Sequence, residues 1–334
     1  MKKLNSLMLG ILFAMFIFTG CKDDDTQVIP PVVVNESEVL ATYLESANSP
    51  LGKDFVNTDM PTVIAATDVY TLTQTNQVYI IDIRTAADFA TGHIQNAVNV
   101  TFANLLTHIK SVDLTNYTKV VIACYTGQTA GYGASLLRLL GYNKVYSLKW
   151  GMSSWHADFA GKWNTAVSNM YATQFTTTAS AKAAIGSLPT LTTGKTTGQE
   201  ILEARVNALL VEGFTPATVT NATVFGALSN YYIVNYWPEN QYLIGHIPGA
   251  IQYTPKASIK LAADLKTLPT NKPVAVYCYT GQTSAYLVAY LRLLGYDAKT
   301  IMYGTNGMIW DMMVANSIAP TFGPTEIKGY TYVQ

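Results

Sequence analysis

Two stretches decide how this chain is read: CYTGQTAGYGASLLRLLGY at Cys124–Tyr142 and CYTGQTSAYLVAYLRLLGY at Cys278–Tyr296. The hexapeptide CYTGQT is identical in both, and it holds two of the three cysteines in 334 residues. The likeness continues outward at an offset of about 154 residues. GHIQNAVNV (Gly92–Val100) answers GHIPGAIQY (Gly245–Tyr253), Arg138 answers Arg292, and GMSSW (Gly151–Trp155) is matched with GMIW (Gly307–Trp310). A period this long is a duplicated domain, not a solenoid repeat.

Within each copy the elements alternate. VYIIDI (Val78–Ile83), KVVIAC (Lys119–Cys124) and KVYSL (Lys144–Leu148) read as buried strands, as do YYIVNY (Tyr231–Tyr236), PVAVYC (Pro273–Cys278) and KTIMY (Lys299–Tyr303). After each cysteine a Gly-containing turn leads into leucines at helical spacing, closed by Gly141 or Gly295 as the helix C-cap. Strand, helix and strand at these lengths predict right-handed crossovers and a largely parallel α/β sheet flanked by helices. Helices near Ser37–Ala47 and Gly198–Glu212 open the copies. The expected division is domain 1 at 37–166, a Thr/Ser/Ala-rich linker with some helix at 167–197, and domain 2 at 198–334.

A strand ending in cysteine, then a short Gly-bearing loop, then a helix start, has a chemical meaning. Loop N–H groups and the helix N-terminus converge on one spot, which favours anions. A sulfur placed there is expected to have a lowered pKa and raised nucleophilicity. Gly127 and Gly281 allow the tight turn. Thr126, Thr129, Thr280 and Thr283 add hydroxyls. Tyr125, Gln128, Tyr279 and Gln282 complete the two anion-binding loops around Cys124 and Cys278. The alternative is a buried structural cysteine at a strand end, and repetition of the whole hexapeptide argues against it.

The order Asp-x-Arg at a strand end, Gly-His-Ile, Cys-x-x-Gly-x-Thr, Gly-Tyr and Gly-Met-x-x-Trp resembles the rhodanese domain, over about Val63–Trp163 and Thr218–Trp310. The resemblance implies two tandem five-stranded parallel α/β domains. It further implies a sulfurtransferase whose cysteine accepts sulfane sulfur as a persulfide and passes it to a thiol or other nucleophile. Threonine at the sixth loop position resembles the thiosulfate and mercaptopyruvate branches. The thiosulfate branch usually carries basic residues at loop positions two and three, where this chain has Tyr125 and Thr126, and Tyr279 and Thr280. Each lost charge-assisted contact to a dianion costs about 1–3 kcal/mol, so thiosulfate activity is expected to be weak.

The copies differ at one strand end. The first reads Asp82-Ile83-Arg84, followed by Asp88 and Phe89; the second reads Asn235-Tyr236-Trp237, followed by Gln241 and Tyr242. In the family the Asp–Arg pair braces the loop, so Cys124 is expected to be the better catalyst, supported by Asp82, Arg84 and His93. His93 and His246 are either acid–base groups or structural ones bonding backbone at a turn. Arg138 and Arg292 lie far along the helix, with a solvent or inter-domain role, and Arg205 sits on the entry helix of the second copy. A non-catalytic anion- or partner-binding module is the rival reading. A cysteine phosphatase would need arginine where Ala130 and Ser284 stand, and is excluded.

Composition narrows the rest. Charged residues make up 13%, balanced at 21 basic and 21 acidic, and only four are arginine. That lacks the footprint of a nucleic-acid binder. Four histidines and two isolated cysteines show no metal-ligand spacing, and the chemistry calls for no cofactor. Lys2 and Lys3, an apolar stretch over Leu7–Thr19 and the sequence FTGC resemble a bacterial lipoprotein signal, with Phe18 where leucine is more usual. This implies a signal peptide at 1–20, lipidation of Cys21 and a tether at 21–36; an ordinary secretory signal with an incidental cysteine is the alternative. The KDDD after Cys21 is either a surface-export tag or a solvated spacer. The expectation is a lipid-anchored protein of the cell envelope.

Overall fold

The computed structural model describes residues 35–334. The apolar stretch, Cys21 and the expected tether as far as residue 34 lie outside the described residues, so the expected lipidation of Cys21 has no structural account. Among the described residues no helix is long and apolar enough to cross a membrane.

The apolar runs become two sheets with the same topology. Strands β1 (Val63–Ile64), β2 (Val78–Asp82), β3 (Val98–Asn99), β4 (Lys119–Ala123) and β5 (Val145–Leu148) form one. All its pairs are parallel, in the order β1-β5-β4-β2-β3. Strands β6 (Thr218–Val219), β7 (Tyr232–Asn235), β8 (Ile251–Gln252), β9 (Val274–Tyr277) and β10 (Ala298–Ile301) form the other. It is again parallel throughout, in the order β6-β10-β9-β7-β8. Central strands β4 and β9 read as unbroken apolar runs because helices cover both of their faces.

Helices α1 (Glu36–Glu45), α2 (Phe55–Thr58), α3 (Ala66–Thr73), α4 (Ala86–Thr91), α5 (Leu105–Ser111), α6 (Gln128–Leu139) and α7 (Gly161–Ala166) accompany the first sheet. Helices α8 (Gly198–Glu212), α9 (Asn221–Gly226), α10 (Glu239–Tyr242), α11 (Gln282–Leu293) and α12 (Trp310–Ala315) accompany the second. The leucine-rich helices end as their glycines require. Gly141 and Gly295 take φ of 98° and 94°, and the next residue's N–H reaches back into the helix, Tyr142 to Leu137 O and Tyr296 to Leu291 O, both at 3.1 Å.

The sequence left α6 and α11 apolar nearly all round, and the fold uses every face. Each covers its own sheet and also packs on the other, burying Ala130, Ala134 and Leu137 with Ala285, Val288 and Ala289 in one core that spans both repeats. Each fully buried leucine contributes about 1.5–3 kcal/mol. The Ser135 hydroxyl donates to Tyr286 O across the contact at 2.9 Å. Helices α1 and α8 make a second bridge between the repeats.

The 167–197 stretch holds one 3-10 turn, Ala172–Gln174; Thr176 bridges His246 of the second repeat, and the Thr193 and Gly194 N–H groups donate to the Glu36 carboxylate of the first. Two features depart from expectation. The C-terminal tail returns to the first repeat: Tyr330 N–H donates to Trp155 O at 2.9 Å, and Val333 and His93 exchange backbone bonds. The pairing of GMSSW with GMIW is also wrong. Met152 and Ser153 N–H donate to Cys124 O and Tyr125 O, and the groups that do this in the second repeat belong to Thr305 and Asn306. Trp150-Gly151 therefore corresponds to Tyr303-Gly304, with Trp150 and Tyr303 both at φ 62°. Trp155 and Trp310, which end the two motifs, are therefore not equivalent residues.

Candidate active site

Cys124 follows β4 and opens the loop that ends in α6. Gly127 adopts φ 85°, which turns its N–H back toward the sulfur. Cys124 Sγ accepts from Gly127 N–H at 3.1 Å and from Ala130 N–H at 3.4 Å. The loop lies on Gly151, where a Cβ would stand 2.6 Å from Gly127 N and closer still to Cys124 O, so only glycine fits. Trp163 Nε1 donates to Thr126 O at 3.1 Å and ties the loop to α7. Thr126 Oγ1 accepts from Gln128 Nε2, and Thr129 is half-buried in the first turn of α6.

The Asp–Arg motif assembles beside this loop, because parallel pairing sets Asp82 opposite Ala123 at the strand ends. Asp82 and Arg84 form a fully buried ion pair: Arg84 Nη2 reaches Asp82 Oδ2 at 2.6 Å and Nε reaches both carboxylate oxygens at 3.0 Å. Nη2 also donates to Gly92 O at 2.7 Å, whereas the buried Nη1 has no partner. The guanidinium lies 5.1 Å from the Tyr125 ring centre, and Lys162 Nζ lies 4.0 Å from it. Tyr125 donates its hydroxyl to Asp88 at 2.6 Å. That bond, with one from the Thr85 hydroxyl and then the charges of Arg84 and Lys162, holds the Asp88 carboxyl below its usual range. Lys162 was not foreseen: it comes from α7, well separated from the motif, and no pattern marks it.

The expectation of a lowered thiol pKa is corrected. Burial pushes the Cys124 thiol up, the N–H groups of Ala130, Thr126 and Gly127 pull it down, and the Asp82 carboxylate adds to the upward push. Desolvation outweighs the loop amides in this closed arrangement.

Cys278 has the same loop and different surroundings. Its sulfur accepts one backbone N–H, from Ser284 at 3.3 Å, and its thiol donates to the Ser284 hydroxyl at 3.5 Å. Thr280 Oγ1 is 3.9 Å away. Where Arg84 stands, Trp237 is fully buried and stacked on Tyr279, centroids 5.1 Å apart. Asn235 donates to Tyr277 OH at 2.7 Å in place of an ion pair. Tyr279 bonds Gln241, and burial raises its phenol to about 12. Gly281 takes φ 75° as Gly127 does, and Thr283 is half-buried in the first turn of α11.

Other candidates are brought near neither sulfur. His93 Nδ1 lies 3.0 Å from Phe89 O and His246 Nδ1 lies 2.8 Å from Tyr242 O, each stacked on the ring of that same residue. Both are turn-bonding groups. Arg138 and Arg292 hold the carbonyls of Asn143 and Ala298 just beyond their helices, and Arg205 caps α11 through Leu293 O and Arg292 O. Among the described residues no group of three His, Cys, Asp or Glu side chains is placed to hold a metal ion.

A model of the rhodanese-like domain matches residues 65–158 and 228–308, a little over half of the chain. The thiosulfate sulfurtransferase GlpE of Shewanella oneidensis is 36% identical over 85 residues, covering 25% of this chain and 82% of that protein. The GlpE of Pseudomonas fluorescens is 34% identical over 80 residues, 24% of this chain and 72% of that one. A solved thiosulfate sulfurtransferase from Pseudomonas aeruginosa aligns over 80% of this chain and 46% of its own, at 17% identity and a TM-score of 0.27. With two matching sheets, two cysteine loops closing them and a family model over each, the chain belongs to the rhodanese-like family and carries its domain twice in tandem.

Proposed function

We propose that this protein is a sulfurtransferase that works through Cys124. One observation carries the reading: the Cys124 sulfur sits where the loop's N–H groups converge, beside a buried Asp82–Arg84 pair whose Nη1 is unspent. The names of the relatives supply the reaction class. After the thiol loses its proton to solvent, the thiolate attacks the outer sulfur of an anionic donor of the thiosulfate or mercaptopyruvate type. A Cys124 S–S bond forms as the donor's bond to that sulfur breaks, and the electron pair leaves with sulfite or with the enolate of pyruvate. A thiolate acceptor then attacks the terminal persulfide sulfur, and the pair returns to Cys124. The loop N–H groups stabilise negative charge on sulfur in both half-reactions.

Cys278 lacks this environment and is not the transferring residue in this reading. The N-terminal features support a site of action at the cell envelope, anchored through a lipid on Cys21. The transfer is tested by exposing the protein to thiosulfate or mercaptopyruvate and weighing it intact. One added sulfur is expected in the parent and in Cys278→Ser, and none in Cys124→Ser. Absence of any adduct with every donor would sink the proposal, and an adduct in Cys124→Ser would move it to the other repeat.

A further inference from the structure

The second CYTGQT keeps all six residues although the groups around it have changed, and the fold offers a reason. Gln282, its fifth residue, bonds its own loop only through its backbone N–H, which donates to Thr280 Oγ1 at 3.0 Å. Its amide enters the first repeat, where Nε2 donates to Ser147 Oγ at 2.8 Å and Leu148 O at 3.1 Å, and Oε1 accepts from Trp150 N–H at 3.4 Å. The same amide fills the space beside Gly127 where a side chain would begin, its nitrogen 2.8 Å from an ideal Cβ. Gly127 is the residue whose N–H holds the Cys124 sulfur, and Leu148–Trp150 leads directly into Gly151, on which the loop rests.

The reverse arrangement is only half made. Gln128 Oε1 accepts from Tyr303 N–H at 2.8 Å, but its Nε2 stays home on Thr126. Thr300, which occupies the place of Ser147 in the second sheet, bonds Ser284 and Gly281 of its own repeat. The Ser147 hydroxyl instead takes both its partners, Gln282 and Tyr286, from the second repeat. Support therefore runs mainly from the second loop to the first.

We infer that Gln282 is a positioning residue for the Cys124 site: it clamps Gly127 against the Leu148–Trp150 segment and fixes the N–H groups that face the sulfur. The inference rests on Cys124 being the reacting thiol. It assigns the second hexapeptide a task in the first site, as a buried brace that needs no reactive cysteine of its own.

The test is Gln282→Met, which keeps most of the volume and removes the amide. Losing one or two net hydrogen bonds predicts about tenfold faster hydrogen exchange at the Gly127 amide, confined to that loop and the start of α6. In single-turnover sulfur loading, the rate constant at saturating donor is expected to fall about tenfold with the half-saturating concentration unchanged. General destabilisation would instead lower the fraction of chains that load and quicken exchange throughout the core. Unaltered exchange at Gly127 would overturn the inference. The exchange measurement needs no sulfur donor, so it judges Gln282 whether or not the protein transfers sulfur. Should Gln282→Met not fold, Ser147→Ala removes one acceptor and is read the same way, with a smaller expected change and the same overturning result.

Discussion

The sites around Cys124 and Cys278 share six identical residues and little else. At Cys124 two backbone N–H groups hold the sulfur, a buried ion pair stands behind the loop, and two cations face Tyr125. At Cys278 one N–H and a serine hydroxyl do the holding, a tryptophan fills the arginine's place, and among the described residues no cation lies over Tyr279. The difference separates shape from chemistry. The hexapeptide builds the turn, with glycine at positive φ in both copies; the neighbouring strand end decides what charge the turn can serve.

The sharpest way to break the comparison is to exchange the thiols. Cys124→Ser should lower sulfur transfer to a thiol acceptor by at least about a thousandfold, because no other thiol stands in that loop. Cys278→Ser should stay within a few-fold of the parent. Equal losses in the two variants, measured as steady-state turnover, would mean that the sites work in relay and that their inequality has been misread.

The next effect falls on stability. Arg84→Met leaves the Asp82 carboxylate buried and unpaired, which costs about 3–5 kcal/mol in urea denaturation. Copying the second repeat by pairing Asp82→Asn with Arg84→Trp removes the charge as well, and should recover at least half of that loss while sulfur loading stays impaired. A double variant no more stable than the single one would show that the neutral solution at Asn235 and Trp237 depends on partners the first repeat lacks, Tyr277 foremost.

The pH dependence sharpens the first site alone. Because burial raises the Cys124 thiol, the thiolate is scarce at neutral pH, and its fraction grows about tenfold per pH unit until the thiol titrates. Loading rates should therefore climb from neutral pH and show no plateau before the range where ordinary thiols ionise. A rate already flat at neutral pH would mean that the loop amides outweigh burial after all.

How far the sequence could carry this follows from what is contiguous. Strands such as Val78–Asp82 and Lys119–Ala123, helix Gly198–Glu212 and the glycine caps were legible to within about two residues, since each is written as a local pattern. The unequal strand ends were legible because the repeat sets Asp82 against Asn235 and Arg84 against Trp237. What escaped was long-range. Gln282 reaches Ser147 across the repeat interface, Lys162 approaches Tyr125 from another helix, and the tail at Tyr330–Val333 attaches by backbone bonds that no side-chain pattern announces. The thiol's direction escaped for a related reason: the motif displays the N–H donors, while the desolvation opposing them exists only once α6 and the core around it are assembled.

The smallest expected effect concerns Lys162, and it tests whether the first site's charge is used on the donor. The loop lacks the basic residues usual at its second and third positions, yet Lys162 and Arg84 both lie over Tyr125. Lys162 is exposed, so its contribution is limited to about 0.5–1 kcal/mol and is screened by salt. Lys162→Met should raise the half-saturating concentration of dianionic thiosulfate about two- to fivefold, and that of monoanionic mercaptopyruvate less, because a point charge acts in proportion to the charge it meets. High salt should shrink the gap between variant and parent. An equal shift for both donors, or one indifferent to salt, would make Lys162 a packing residue on Tyr125 and return the burden of donor charge to Arg84 and the loop amides.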